Sequence, residues 1–201
     1  MQELLEIMRK LRAPDGCPWD IKQTHESLRP YLLEEASEAV DAITGGNNHE
    51  IVEELGDVLL QIAFHTVIAE QENSFAYADI EKSIVDKLIR RHPHVFGDIT
   101  VADADEVVAN WQEIKNSEKA KKSPLDSVPK SLTSLMRAAE LTKKLAWKLP
   151  TKADLLARTK DLSANEKDIG ELLLAISSYS KANGINPEIA LREAILAKTK
   201  A

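Results

Sequence analysis

The sequence predicts an all-α protein, on three observations. Leu, Ala, Glu and Lys are abundant, whereas aromatics make up 4% and glycines only seven of 201 residues, a balance that favours helix over sheet. Apolar residues recur at helical spacing through most of the chain. No segment reads as a convincing strand, and only 94–101 has an extended character.

The elements follow in order. Residues 1–12 carry Leu4, Leu5, Ile7, Met8 and Leu11 between charges, an amphipathic helix. The stretch Ala13 to Asp20, with Pro14, Gly16 and Pro18, is a loop. Ser27 is placed to cap a second helix running to about Thr44, with Pro30 in its first turn, where a missing N–H does least harm. Gly45 and Gly46 end it, and Asn48 is placed to cap a third helix reaching about Glu72. Shortly after Asp57 that helix is apolar on nearly every side, which sends it to the interior.

A fourth helix, about 77–92, carries Ile80, Ile84 and Leu88 with Lys82, Lys87, Arg90 and Arg91, and Pro93 stops it. A fifth, about 104–119, starts near Asp103 or Asp105 and holds Trp111. The charged run before Pro124 and Pro129 reads as a linker, which divides the chain into 1–119, a linker 120–130 and a second half 131–201. Helices are expected there at 131–148, 164–183 and 187–199, the second with Ser163 and Glu166 as a capping box, the third with Asn186 ahead of Pro187.

Composition narrows the classes. With 43% hydrophobic and 29% charged residues, the chain is an ordinary globular protein. Residues 1–116 hold 10 Lys and Arg against 23 Asp and Glu, and 117–201 hold 16 against 10. An acidic first half repels a phosphate-bearing ligand unless a cation is bound first. The basic residues of the second half are scattered among acids without aromatic interleaving, so direct nucleic-acid binding is not expected. Cys17 is the single cysteine, the first helix lacks the apolar core of a signal peptide, and no apolar run approaches membrane-spanning length. The expected location is cytoplasmic.

The acids are the informative feature. Glu35 and Glu38, then Glu54 and Asp57, form two i, i+3 pairs, each on the apolar arc of its helix. Taken alone, either pair reads as helix solvation. Joined by a short turn, the two helices are antiparallel neighbours on which four carboxylates can converge. Such a cluster is costly unless a strong positive charge lies within it, and hard oxygen donors suit Mg²⁺, with Mn²⁺ as a substitute. Gly56, a mid-helix glycine, fits close packing there.

Glu34-Glu35-Ala36-Ser37-Glu38, Glu54-Leu55-Gly56-Asp57, Gly16-Cys17-Pro18-Trp19-Asp20, the run from Lys87 to Phe96 and Trp111-Gln112-Glu113-Ile114-Lys115 together resemble the MazG family of nucleoside triphosphate pyrophosphohydrolases. The resemblance covers 1 to about 145 and implies an all-α fold of antiparallel four-helix modules that pair as homodimers. It implies a metal held by Glu35, Glu38, Glu54 and Asp57, and nucleotide contacts from Lys87, Arg91, Trp111 and Lys115. Lys87 with Arg91, and Trp111 with Lys115, are i, i+4 pairs, so each pair can serve one ligand. Without the resemblance, Lys87 and Arg91 read as an exposed basic face and Trp111 as core.

The second half departs from the full pattern. Asp168-Ile169-Gly170-Glu171 through Ile176 repeats Glu54 through Ile62, but no Glu-Glu-x-x-Glu helix precedes it. It is a shorter, degenerate copy. Other chemistry is poorly supported: His92 and His94 lack further zinc ligands, Cys17 lacks a catalytic partner, and no Walker loop occurs. His65 reads as a hydrogen-bonded core residue.

The expectation is therefore Mg²⁺-dependent hydrolysis of a nucleoside triphosphate to monophosphate and pyrophosphate with broad base tolerance. Lys87 and Arg91 stabilise the phosphates, and Glu38 is the candidate base, although no pattern singles it out. The alternatives are a narrower enzyme, such as one acting on dUTP, and a non-catalytic nucleotide sensor or dimerisation module.

Overall fold

The structure is a computed structural model that describes residues 1–118, 123–160 and 162–199. Among these every regular element is helical, and 94–101 is no exception to the lack of strand: a turn of helix occupies its start. The chain divides into two compact units, Met1–Lys115 and Asn116–Ala201.

In the first unit, α1 (Gln2–Leu11) turns Leu5 and Met8 inward. The loop that follows includes a short helix, α2 (Pro18–Ile21). Gly16 is required in this loop, because a Cβ there would stand 2.2 Å from the Leu11 carbonyl oxygen. Arg12, 8% exposed, ties the loop down. Its guanidinium donates to the Gln71 side chain at 2.9 and 3.1 Å, to the Gln23 carbonyl at 3.1 Å, and to the Asp20 carbonyl.

Helix α3 (Arg29–Gly45) carries Pro30 in its first turn as expected, but Ser27 does not cap it. The Ser27 hydroxyl instead accepts from the Thr24 N–H at 3.0 Å and donates to Gln23, so Thr24 competes successfully for it. Gly46, at φ 75°, closes α3 in the left-handed conformation. Asn47, one residue earlier than expected, caps α4 (Asn48–Gln71) by accepting from the His49 N–H at 3.0 Å.

From Gln61 onward α4 is the spine of the unit. Ala63, Phe64, Val67 and Ile68 bury with Leu5, Met8 and Leu28, and Leu60 and Tyr77 pack against them. Leu59 departs from the buried helix expected after Asp57, being exposed; Val52 and Leu55 in the turns before it are exposed too, as are Leu32 and Leu33 of α3. The main packings of the unit are α3 on α4 and α1 on α4.

Helix α5 (Tyr77–Arg91) ends before Pro93, which begins the one-turn α6 (Pro93–Phe96), the chief packing partner of α5. Helix α7 (Ala104–Glu118) is capped by Asp103, which accepts from the Glu106 N–H at 2.9 Å, while the Glu106 carboxylate accepts from the Ala102 N–H at 2.7 Å.

The first part of the expected linker, 120–122, lies outside the described residues. Residues 123–130 form a hydrogen-bonded turn with Val128 buried. Beyond it stand α8 (Ser134–Lys144), α9 (Lys152–Lys160), α10 (Glu166–Ala182) and α11 (Pro187–Thr199). Helix α8 stops four residues short of expectation at Ala146, whose φ of 49° breaks the helical path. Asn165 rather than Ser163 caps α10, accepting from the Asp168 N–H at 2.9 Å. Asn186 caps α11 as the sequence indicates. A buried Thr142 to Ser178 hydroxyl bond of 2.8 Å and a Lys181 to Glu140 ion pair of 2.5 Å join α8 to α10.

Candidate metal and nucleotide site

Because Gly46 reverses the chain sharply, the acid stripes of α3 and α4 come side by side. One carboxylate oxygen each from Glu35, Glu38 and Glu54 can be chosen so that all lie within 4.8 Å of one another. Glu35 and Glu54 are half-buried and Glu38 is exposed. Asp57 stands outside this close triad, although its charge acts on both Glu35 and Glu54.

The electrostatics are one-sided. The Glu35 carboxyl is held above its ordinary range by burial and then by repulsion from Asp57, Glu38, Glu34 and Glu54. Glu54 is pushed the same way by burial, then by Glu38, Asp57, Glu53 and Glu50. The neighbouring charges acting on these two groups are all carboxylates. Oxygen donors this close, mutually repelling and without a neutralising side chain among the described residues, fit a hard divalent cation.

Further along α4, Gln61 and His65 continue the line of Asp57 at steps of four residues. The Gln61 side-chain oxygen is buried without a hydrogen-bond partner. His65 stacks on His25, with ring centroids 5.0 Å apart, planes 6° apart and Nδ1 atoms 2.7 Å apart. The expectation that His65 is hydrogen-bonded holds, but its partner in the 22–28 loop is visible only in three dimensions. Trp19 of α2, exposed, meets Tyr31 and Phe64 edge-on at 5.8 and 6.2 Å.

A second cluster joins α5 to α7. The Arg91 guanidinium carbon lies 5.1 Å from the centroid of the Trp111 ring, and the Lys115 ammonium lies 5.0 Å from it. Trp111 is half-buried, and these two cations attract its π face. Lys87 is half-buried one turn before Arg91. The fold thus gathers Glu35, Glu38 and Glu54 in one group, and Arg91, Trp111 and Lys115 in another.

Comparison with known proteins assigns the family. Residues 23–96, which include all four acids, Lys87 and Arg91, match the MazG nucleotide pyrophosphohydrolase domain. The chain is 40% identical to the nucleoside triphosphate pyrophosphohydrolase/pyrophosphatase MazG of Thermotoga maritima, over 96% of this chain and 80% of that protein. The chain belongs to the MazG family.

The nucleoside triphosphate pyrophosphohydrolase of Escherichia coli K12 is 39% identical over 96% of this chain and 82% of its own length. Uncharacterized protein YabN of Bacillus subtilis is 51% identical over 68% of this chain, which spans only 28% of that longer protein. No helix among the described residues is long and apolar enough to cross a membrane.

Proposed function

We propose that this MazG-family chain hydrolyses nucleoside triphosphates to the monophosphate and pyrophosphate, with Mg²⁺ or Mn²⁺ held by Glu35, Glu38, Glu54 and Asp57. The observation that carries this reading is the approach of the first three carboxylates to within 4.8 Å, where the charges that act on Glu35 and Glu54 are, among the described residues, carboxylates. A bound Mg²⁺ supplies positive charge against the phosphate oxygens and the charge that develops on them.

The chain's own residues take the remaining roles. Lys87, Arg91 and Lys115 bind the polyphosphate and balance charge on the departing pyrophosphate. Trp111 packs against base or ribose. Glu38, the most exposed of the close triad, accepts a proton from a water directed at the α-phosphorus. Oxygen bonds to that phosphorus as its bond to the bridging oxygen breaks, leaving monophosphate and pyrophosphate. Broad base tolerance is part of this reading.

The working form in this reading is a cytoplasmic homodimer that does not bind nucleic acid directly. Leu32, Leu33, Val52, Leu55 and Leu59, all exposed on the α3–α4 pair, give a second copy an apolar face to cover and complete a four-helix arrangement.

The test is direct. ATP, dTTP, dUTP and other triphosphates are incubated with Mg²⁺ or with chelator, and pyrophosphate is measured. Release is expected with Mg²⁺ only, across several bases. Release no greater than that of a Glu38→Gln, Glu54→Gln double variant overturns the reading.

A further inference from the structure

The degenerate half contains a position where an arginine stands by an acid of the repeated motif. Glu171 of α10 occupies the place that Asp57 holds in α4, as the repeat Glu54–Ile62 against Asp168–Ile176 defines it. The Arg158 guanidinium of α9 donates to the Glu171 carboxylate at 3.3 Å. Asp168, the counterpart of Glu54, accepts from the Ser163 N–H at 3.3 Å and the Asn165 amide at 3.1 Å at the helix start. Both remaining acids of the copy are therefore engaged by the protein itself.

Beside this pair lies a cavity of about 290 Å³ lined by Trp147, Lys148, Pro150, Arg158, Glu171 and Ser178. Trp147 is 40% exposed, large and apolar without being core. It follows Ala146, a non-glycine residue in the left-handed conformation, and its N–H donates to the Thr142 carbonyl at 3.1 Å. Lys148 and Arg158 both line the site. After hydrogen bonds from Thr151, these two charges help draw the Asp154 carboxyl below its ordinary range.

A tryptophan face with an ammonium and a guanidinium nearby is the chemistry of an aromatic base joined to a phosphate. The Arg158–Glu171 pair does not prevent this. Its side chains are 47% and 56% exposed, so the ion pair is weak, and a guanidinium has further N–H groups to offer. The volume sits near the lower end of ligand pockets, about 300 Å³, which suits a monophosphate better than a triphosphate.

We propose that the cavity bounded by Trp147, Lys148 and Arg158 is a second, metal-independent binding site for a nucleoside monophosphate. No chemistry takes place there. The site belongs wholly to the second unit and does not depend on catalysis by the first.

The experiment is equilibrium dialysis of AMP against the full chain in excess EDTA. One AMP per chain is expected to bind. Trp147→Ala and Arg158→Gln are each expected to weaken binding by about tenfold or more. The Glu38→Gln, Glu54→Gln double variant is expected to bind as the wild type does. Trp147→Phe, which keeps an aromatic face, retains binding and guards against misfolding, with circular dichroism melting of each variant as a further control. Absence of AMP binding in EDTA, or binding that survives both Trp147→Ala and Arg158→Gln in folded protein, overturns the proposal.

Discussion

His25 and His65 lie face to face with their Nδ1 atoms 2.7 Å apart, a geometry in which one ring donates a proton and the other accepts it. Doubly protonated, the pair has no acceptor and two like charges. His65 is accordingly held below its ordinary range, first by burial and then by His25. A histidine lowered in the folded state makes the unfolded chain the stronger proton binder, so stability falls as pH drops below about 6.5 and continues falling to the folded-state value. Thermal melts between pH 8 and 5 are expected to show this decline, and His65→Gln is expected to flatten it. An unchanged pH profile in His65→Gln counts against the pairing.

Arg12 gathers Gln71, Gln23 and Asp20 around one buried guanidinium. Arg12→Met keeps the length of the stem but leaves two carbonyls and an amide without their donor. A loss of about 2–3 kcal/mol in urea unfolding is expected. A change below about 0.5 kcal/mol, the range of ordinary surface substitutions, rejects this role.

Gly16 faces the end of α1 so closely that even a methyl group meets backbone oxygens of Leu11 and Lys10, at 2.2 and 2.6 Å. Backbone cannot rotate aside as a side chain does. Gly16→Ala is expected to destabilise the first unit by about 2 kcal/mol or more and to lower the Tm. An unaltered Tm means that the loop has another path.

The acid triad makes a paired prediction. Without divalent cation, Glu54→Gln removes mutual repulsion and is expected to raise the Tm above wild type. With Mg²⁺ the order reverses, because wild type gains stability from the ion and the variant does not. Pyrophosphate release by Glu54→Gln is expected to fall by about a hundredfold or more. Equal Mg²⁺ responses in the two proteins argue against this cluster as the metal site.

Arg91 can be separated from a point charge. Arg91→Lys preserves the sign but loses the planar fork that can both grip phosphate and lie over Trp111 at 5.1 Å. The expected outcome is a drop of about tenfold or more in kcat/KM with little change in Tm. Full activity in Arg91→Lys limits the residue to charge alone.

What the sequence reveals is graded by distance along the chain. The approach of Glu35, Glu38 and Glu54 is readable because i, i+3 spacing and a glycine turn are local facts. The Asp103 and Asn186 caps are readable for the same reason. Caps drift where polar neighbours compete: Asn47 displaces Asn48, Asn165 displaces Ser163, and Thr24 captures Ser27. Helix α9 escapes a periodicity reading, being short and largely exposed, although Thr151 and Asp154 bond reciprocally at its start and were a usable signal. The exposed apolar turns of α4 escape it too, since hydrophobicity marks a surface as one to be covered without saying by what. The pairing of His25 with His65 spans 40 residues and has no local signature.

The Arg158–Glu171 contact gives the two halves different dependence on solutes. In α10 the neutralising charge is covalently part of the chain, fixed in stoichiometry and present at any ionic composition. In the α3–α4 pair, on the proposed metal reading, it arrives from solution. On that reading a shortage of divalent cation is felt at the α3–α4 acids, whereas the exposed Arg158–Glu171 pair answers only to general salt, which screens it.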